Sequence, residues 1–258
     1  MVLEAKSVPV RRPTVGQRIS VRVSDPVAAI TGDRAADRSG EARARILDAA
    51  LKVFSADGLA GARTEQIAAA AGVNKALIFY YFESKEKLYL SAIEAVAARV
   101  RDSSMAVMTL QASAGERVLR TALNHFDRVL TQREFQSLMQ QEMIRLHHGE
   151  EGALPVLVKR VFEPLMTAFQ ATVREGIESG EIIDADLMQF PLVAMGANVF
   201  YFLSAPIWGM LQKQDPFDAE ALRARRVALV EFLGQAIFKD RSRGAKLAAR
   251  VLADIPMP

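Results

Sequence analysis

Asn74 and Lys75 open a short apolar stretch that closes on Phe79-Tyr80-Tyr81-Phe82, with Lys85 just beyond. A helix N-terminus offers free N–H groups, and with a lysine beside it favours phosphate. Tyrosine hydroxyls donate to phosphate oxygens, and flat rings lie on sugars and base edges. So short a helix cannot bury four successive aromatics, so some project outward. The chemistry these residues suggest is recognition of a polyanion.

No comparable set points to catalysis. There is no cysteine, so no disulfide framework, thiolate zinc site or cysteine nucleophile. No G-x-S-x-G, phosphate-binding glycine loop or H-E-x-x-H occurs. His147 and His148 are adjacent, diverge by about 100° on a helix and read as solvent-exposed helix-end residues rather than a metal pair. An all-α enzyme is therefore a minor rival, and neither cofactor nor metal is expected.

The elements that position Asn74 to Lys85 follow from period and punctuation. Helices are expected over about 41–57, 64–71 and 75–81, with Gly58 and Gly72 as left-handed caps. Ser84 caps a fourth helix reaching about 110. The second and third are joined by Ala71-Gly72-Val73-Asn74, a helix-turn-helix. Further helices are expected over about 115–131, 134–148, 154–179, 186–210, 217–239 and 244–253. The chain reads as all-α. Residues 1–40 mix Pro9, Pro13, Pro26, Gly16 and Gly32 with arginine and aspartate, and read as a flexible basic tail. That tail is either an arm that follows DNA or a dispensable extension; no secretory signal is expected in it.

The 258 residues carry a net charge of +3. Residues 1–40 hold seven Lys/Arg against four Asp/Glu, 41–87 seven against six, and 88–258 nineteen against twenty. The positive excess lies wholly before residue 88, although the 41–87 segment itself is only +1, so DNA recognition rests on residue spacing rather than bulk charge.

Residues 46–89 resemble the TetR family of bacterial transcriptional regulators. The shared residues are Ile46-x-x-Ala49-Ala50, Phe54, Gly58, Thr64, Ile67-Ala68, Ala71-Gly72-Val73, Lys75, Ile78, Tyr81-Phe82 and Ser84-Lys85-Glu86-x-Leu88. The resemblance implies a helix-turn-helix DNA-binding domain over 41–87 and a helical ligand-binding and dimerisation domain over 88–258. It implies that Thr64 touches a phosphate and that Asn74, Lys75, Ala76 and Leu77 open the recognition helix. Phe79 and Tyr80 then reach base or sugar, and Tyr81 and Lys85 meet phosphates. Leu77, Phe79 and Arg63 depart from the family's usual hydroxyl-bearing residues, which leaves the operator sequence open.

The C-terminal region carries scattered methionines and aromatics that suit an adaptable apolar pocket. With the resemblance, Phe126, Met139, Met143, Phe162, Met166, Phe169 and Phe200 are the expected lining of an inducer cavity, with Gln140, Arg145, His125 and Asn198 as candidate anchors. Leu187 to Gln212 is uncharged and long enough to span a bilayer, but its Pro, Asn and Gln residues favour a core or interface helix. With Leu222, Leu229, Leu233, Ala236 and Ile237 of the next helix it is the expected dimer element. Two-fold symmetry then implies a palindromic operator. The expectation is a cytoplasmic, nucleoid-associated homodimeric repressor released from double-stranded DNA by a small, mostly apolar molecule. Its alternative is a chromosome-organising or cell-division factor on the same scaffold without that switch.

Overall fold

Local capping chemistry sets the boundaries of the helices. A computed structural model describes the backbone of residues 26–258 and the side chains of residues 39–258. α1 (Pro26–Gly61) bends at Gly58, whose φ of 69° is the left-handed conformation expected there. α2 (Thr64–Ala71) ends on Gly72 at φ 64°. At its start the Gln66 side chain accepts from the Arg63 backbone N–H, so arginine at 63 does not leave the helix uncapped. α3 (Lys75–Phe82) is capped by Asn74, and α4 (Lys85–Met108) by Ser84, which accepts from the Lys87 N–H.

α5 (Ala114–Thr131), α6 (Arg133–His147), α7 (Leu154–Leu157), α8 (Glu163–Glu178), α9 (Gln189–Gln212), α10 (Ala219–Ala236) and α11 (Arg241–Asp254) follow. A π-helical turn, Val158–Phe162, joins α7 to α8 inside what the sequence reads as one helix. The described residues contain no strand, only a single antiparallel bridge between Ile182 and Phe238. The fold class is therefore all-α, as expected. One boundary differs: α1 opens at Pro26 rather than Glu41. Proline is well placed at a helix start, and Gly32 and Gly40 weaken a helix without ending it. The rest of the expected tail, residues 1–25, lies outside the described residues.

Two apolar cores result. The first packs Ile46, Phe54, Ile67, Ile78, Phe82, Leu88 and Ile93 of α1–α4 together with Phe135 and Leu138 of α6 and Leu157 and Val161 around the π turn. The second joins α5, α8, α9, α10 and α11 around Leu119, Phe126, Phe169, Val230 and Ile237. α4 contributes Val100 to the first and Met108 to the second, so it runs through both.

α10 and α11 approach through glycines. A Cβ on Gly244 would collide with the Gly234 carbonyl oxygen, and one on Gly234 would sit 2.8 Å from both Ala248 Cβ and the Gly244 oxygen. Because the obstacle is backbone, Gly244→Ala is expected to push the helices apart and cost on the order of 3 kcal/mol, as overpacking does. A urea melt checks this; a midpoint within experimental error of the parent's would contradict the close packing.

Candidate nucleic-acid interface

The first core holds α2 and α3 by their inner faces and leaves one face of α3 outward. Ile78 and Phe82 are buried, whereas Tyr80 is 78% and Phe79 41% exposed. Among the described residues few aromatics stand so far into solvent, and a folded domain gains nothing by holding one there. Tyr81 is half-buried, its ring edge-on to Tyr80 at 5.2 Å and to Phe82 at 6.2 Å. Asn74, Lys75 and Ala76 are exposed beside it, and Leu77 is half-buried against the core.

Several expected contact residues are already engaged. Asn74 Oδ1 accepts from the Leu77 N–H at 2.8 Å, so its carbonyl oxygen serves as the helix cap. Lys75 Nζ lies 2.5 Å from Glu65 Oε1 and 5.7 Å from the Phe79 ring centroid. Both partners are well exposed, so this pair is worth little and yields readily to a phosphate. The bond from Lys75 is the main reason the Glu65 carboxyl sits below the usual glutamate range. Lys85 Nζ donates to the carbonyls of Ala60 (3.4 Å) and Ala62 (3.2 Å), bracing the end of α1. Thr64 is buried at the start of α2 with its hydroxyl 3.4 Å from Glu65.

Sequence reasoning missed two residues here. Glu65 puts a negative charge beside the recognition helix, and its spacing ten residues from Lys75 carries no periodic signal. Arg45 donates from Nε to the Ala71 carbonyl at 3.3 Å, tying α1 to the end of α2. Neither contact is visible before the helices are packed.

A buried junction links this reading head to the rest of the molecule. The Tyr89 ring meets Phe54 edge-on at 5.0 Å, while its hydroxyl donates to Glu142 Oε1 of α6 at 2.7 Å. The Glu142 carboxylate, 1% exposed as a residue, also accepts from Arg145 Nη1 at 2.9 Å and from the Ala153 N–H. Burial, then the neighbouring carboxylate, holds the Tyr89 phenol well above its ordinary range, so it stays a donor. A Cβ on Gly152 would collide with this carboxylate.

The expected inducer-cavity residues do not converge. Phe126 and Phe169 lie in the second core, while Met139 and Phe162 pack against the first. Met166 is half-buried on α8, and Met143 and Phe200 are exposed. Of the candidate anchors, Gln140 is exposed and Arg145 belongs to the Glu142 junction, but His125 and Asn198 come together at 3.2 Å. The expected dimer set also needs correction. Leu222, Leu229, Leu233 and Ile237 are buried in the subunit's own second core, and only Ala236 is exposed. The apolar face left open is instead on α9: Leu192, Val193, Val199, Phe200, Leu203 and Ile207, with Phe232 of α10. α9 is also long and apolar enough to cross a membrane, with 28% of its apolar window buried. His147 and His148 are exposed at the end of α6.

Comparison with known proteins places this geometry. Residues 46–92 match the family described as bacterial regulatory proteins, tetR family. Over 122 residues the chain is 39% identical to the HTH-type transcriptional repressor NicS of Pseudomonas putida, covering 46% of this chain and 55% of NicS. Over 66 residues it is 47% identical to the HTH-type transcriptional regulator RutR of Escherichia coli K12, covering 26% of this chain and 31% of RutR. The chain thus spans about half the length of the first of these relatives and less of the second. In fold it is similar to a transcriptional regulator from Saccharomonospora viridis solved with choline, with a TM-score of 0.61 at 20% identity over 78% of this chain and 99% of that one.

Proposed function

We propose, from the premise that this chain belongs to the TetR family of bacterial regulatory proteins, that it is a homodimeric transcriptional repressor released from a palindromic operator by a small molecule. The carrying observation is the outward face of α3: Tyr80 and Phe79 in solvent, flanked by Lys75, on a helix whose other face is locked in the first core. That is the arrangement of a recognition helix, whose side chains reach base edges while its inner face is structural. Such a protein works in the bacterial cytoplasm, where the DNA is. A gel shift on DNA flanking its own gene, with a salt series, tests the reading. Binding that is neither sequence-specific nor salt-sensitive sinks it.

The domain assignment follows the same reading: α1–α3 are the reading head and the helices from α4 onward sense the ligand and dimerise. α4 is the natural lever. Its first turns carry Tyr89, which touches Phe54 of the head and Glu142 of α6, so a ligand that moves α6 also moves the head. Changing the separation of two heads prevents both half-sites from being held together.

Dimerisation explains the open apolar face of α9, which is larger than scattered surface residues account for. Leu203, 63% exposed, is central to it. Leu203→Glu is expected to give a monomer by analytical ultracentrifugation, with intact helicity and at least about ten-fold weaker operator binding. A dimer of unchanged affinity would place the interface elsewhere, and recovery of the parent protein in a membrane pellet would assign α9 to lipid.

A further inference from the structure

One polar cluster in the C-terminal region serves neither the reading head nor the ion pairs that stitch the helices together. α5 carries Thr121, Asn124, His125 and Arg128 at spacings that bring them along one side of the helix. The Arg128 Nη1 donates to the Val100 carbonyl at 3.2 Å, to Ser104 Oγ and to Asn124 Oδ1 at 3.4 Å. All three acceptors are neutral, and Arg128 enters none of the ion pairs among the described residues. The contrast with Arg226 is direct: that guanidinium is gripped by both oxygens of Asp127, at 2.9 and 3.0 Å. A cation removed from water without an anion is costly. Removal from water accordingly pulls Arg128 down to about 10.

The neighbours of Arg128 are also incompletely used. Asn198 of α9, 0% exposed, donates from Nδ2 to the Ala122 carbonyl at 3.3 Å and faces Nδ1 of His125 at 3.2 Å. With Nδ2 as donor, the His125 ring proton sits on Nε2. Burial, then the charge of Arg128, pushes His125 down to about 4, so the ring is neutral at pH 7. Asn198 Oδ1 has no hydrogen-bond partner, and neither has the buried Thr121 Oγ1. Buried polar atoms are nearly always paired, so two orphans, one on the same side of α5 as Arg128 and one on α9 against Ala122 and His125, form with that arginine a set that a ligand completes.

We propose that this cluster is the polar end of the effector site and that it takes a small molecule bearing a carboxylate on an apolar body. The inference rests on the regulator reading above and adds the ligand's chemical class. The guanidinium of Arg128 receives the carboxylate, which it matches bidentately. Asn198 Oδ1 accepts from an N–H or O–H of the ligand, and the second core surrounds the apolar part. An ammonium ligand is repelled by the same charge. The consequence reaches the head, because two of the three acceptors that now hold Arg128, Val100 and Ser104, belong to α4. An anion that draws Arg128 away loosens α4 from α5.

The test uses the full-length protein and an operator fragment. The probes are a panel of straight-chain and aromatic monocarboxylates that also carry a hydroxyl, their primary amides and their trimethylammonium analogues. Melting temperature and release from the operator are read in parallel. At least one carboxylate is expected to raise the melting temperature and release DNA at about ten-fold lower concentration than its amide, with the cation inactive. Arg128→Gln is expected to abolish that discrimination, and Arg128→Lys to retain part of it. Should Arg128→Gln fail to fold, Asn198→Asp sets a charge against the incoming carboxylate and is expected to weaken carboxylates about ten-fold while sparing amides. Amides or cations that match the carboxylates, discrimination that survives both variants, or no saturable response to any carboxylate overturns the proposal. Operator release by a neutral or cationic compound overturns it while leaving the regulator reading intact. Absence of operator binding removes that reading, and the melting arm still decides the ligand class.

Discussion

Tyr80→Ala is expected to weaken operator binding by about ten- to a hundred-fold, the effect of one good base or phosphate contact of about 1.5–3 kcal/mol. The fold should barely register the change. The ring is 78% exposed and lies edge-on to Tyr81 at 5.2 Å, a contact worth about 0.5 kcal/mol. The largest functional loss is therefore paired with a nearly silent melting curve. Anisotropy titrations on the operator and on a scrambled duplex, across a salt series, measure it. Tyr80→Phe divides the contribution further. If the hydroxyl meets a phosphate, affinity falls on both duplexes alike; if the ring reads a base, the phenylalanine protein keeps its preference. Parent-like affinity of Tyr80→Ala for the operator would remove α3 from the interface.

Arg145→Met is expected to be the more destabilising change, by about 3 kcal/mol, because it leaves the Glu142 carboxylate buried without its cation. The Glu142 side chain is wholly out of solvent, and Arg145 Nη1 is the only cationic group bonded to it among the described residues. Tyr89 and the Ala153 N–H remain as donors but carry no charge. Removing both partners together, as Glu142→Leu with Arg145→Met, should recover most of the loss, since apolar replacements of a buried pair are close to neutral. Urea melts of the single and double variants supply the comparison. A double variant no better than the single one would show that the junction acts through its hydrogen bonds rather than its charges. Operator affinity of the double variant reports separately on coupling. Tyr89 keeps its ring on Phe54 but loses its tie to α6, so the head is expected to bind DNA while responding less to a ligand.

The reading head was legible because its signals are local. Gly72 must adopt φ 64°, Asn74 and Ser84 bond to N–H groups three residues on, and these fix α2, α3 and α4 to within a residue or so of expectation. The outward position of Tyr80 follows from the same pattern, since Ile78 and Phe82 claim the inner face. The start of α1 was not legible, because Gly32 and Gly40 resemble a breaker only when no helix surrounds them. Thr64 and Lys85 stand at the expected elements, and the contacts they make within the chain were not legible. Thr64 is covered, and Lys85 caps the carbonyls that end α1.

The ligand and dimer assignments show where a one-dimensional pattern stops. Period 3.6 tells that α10 has an apolar face with Leu222, Leu229 and Leu233; it does not tell whether the helix across that face belongs to the same subunit. In α9, apolar residues run all round the helix, so periodicity selects no face at all, and only packing separates buried Ala194 and Asn198 from open Phe200 and Leu203. By itself, the sequence determined most of the helices, the caps of α2 to α4 and the helix-turn-helix, because each depends on hydrogen bonds between residues close in the chain. The tertiary structure decided everything that joins distant residues: Glu142 to Tyr89 across 53 positions, Asn198 to His125 across 73, and, among the described residues, Arg128 to neutral acceptors rather than a carboxylate. Those contacts depend on which helix faces come to oppose each other, and that is settled only when the two cores close together.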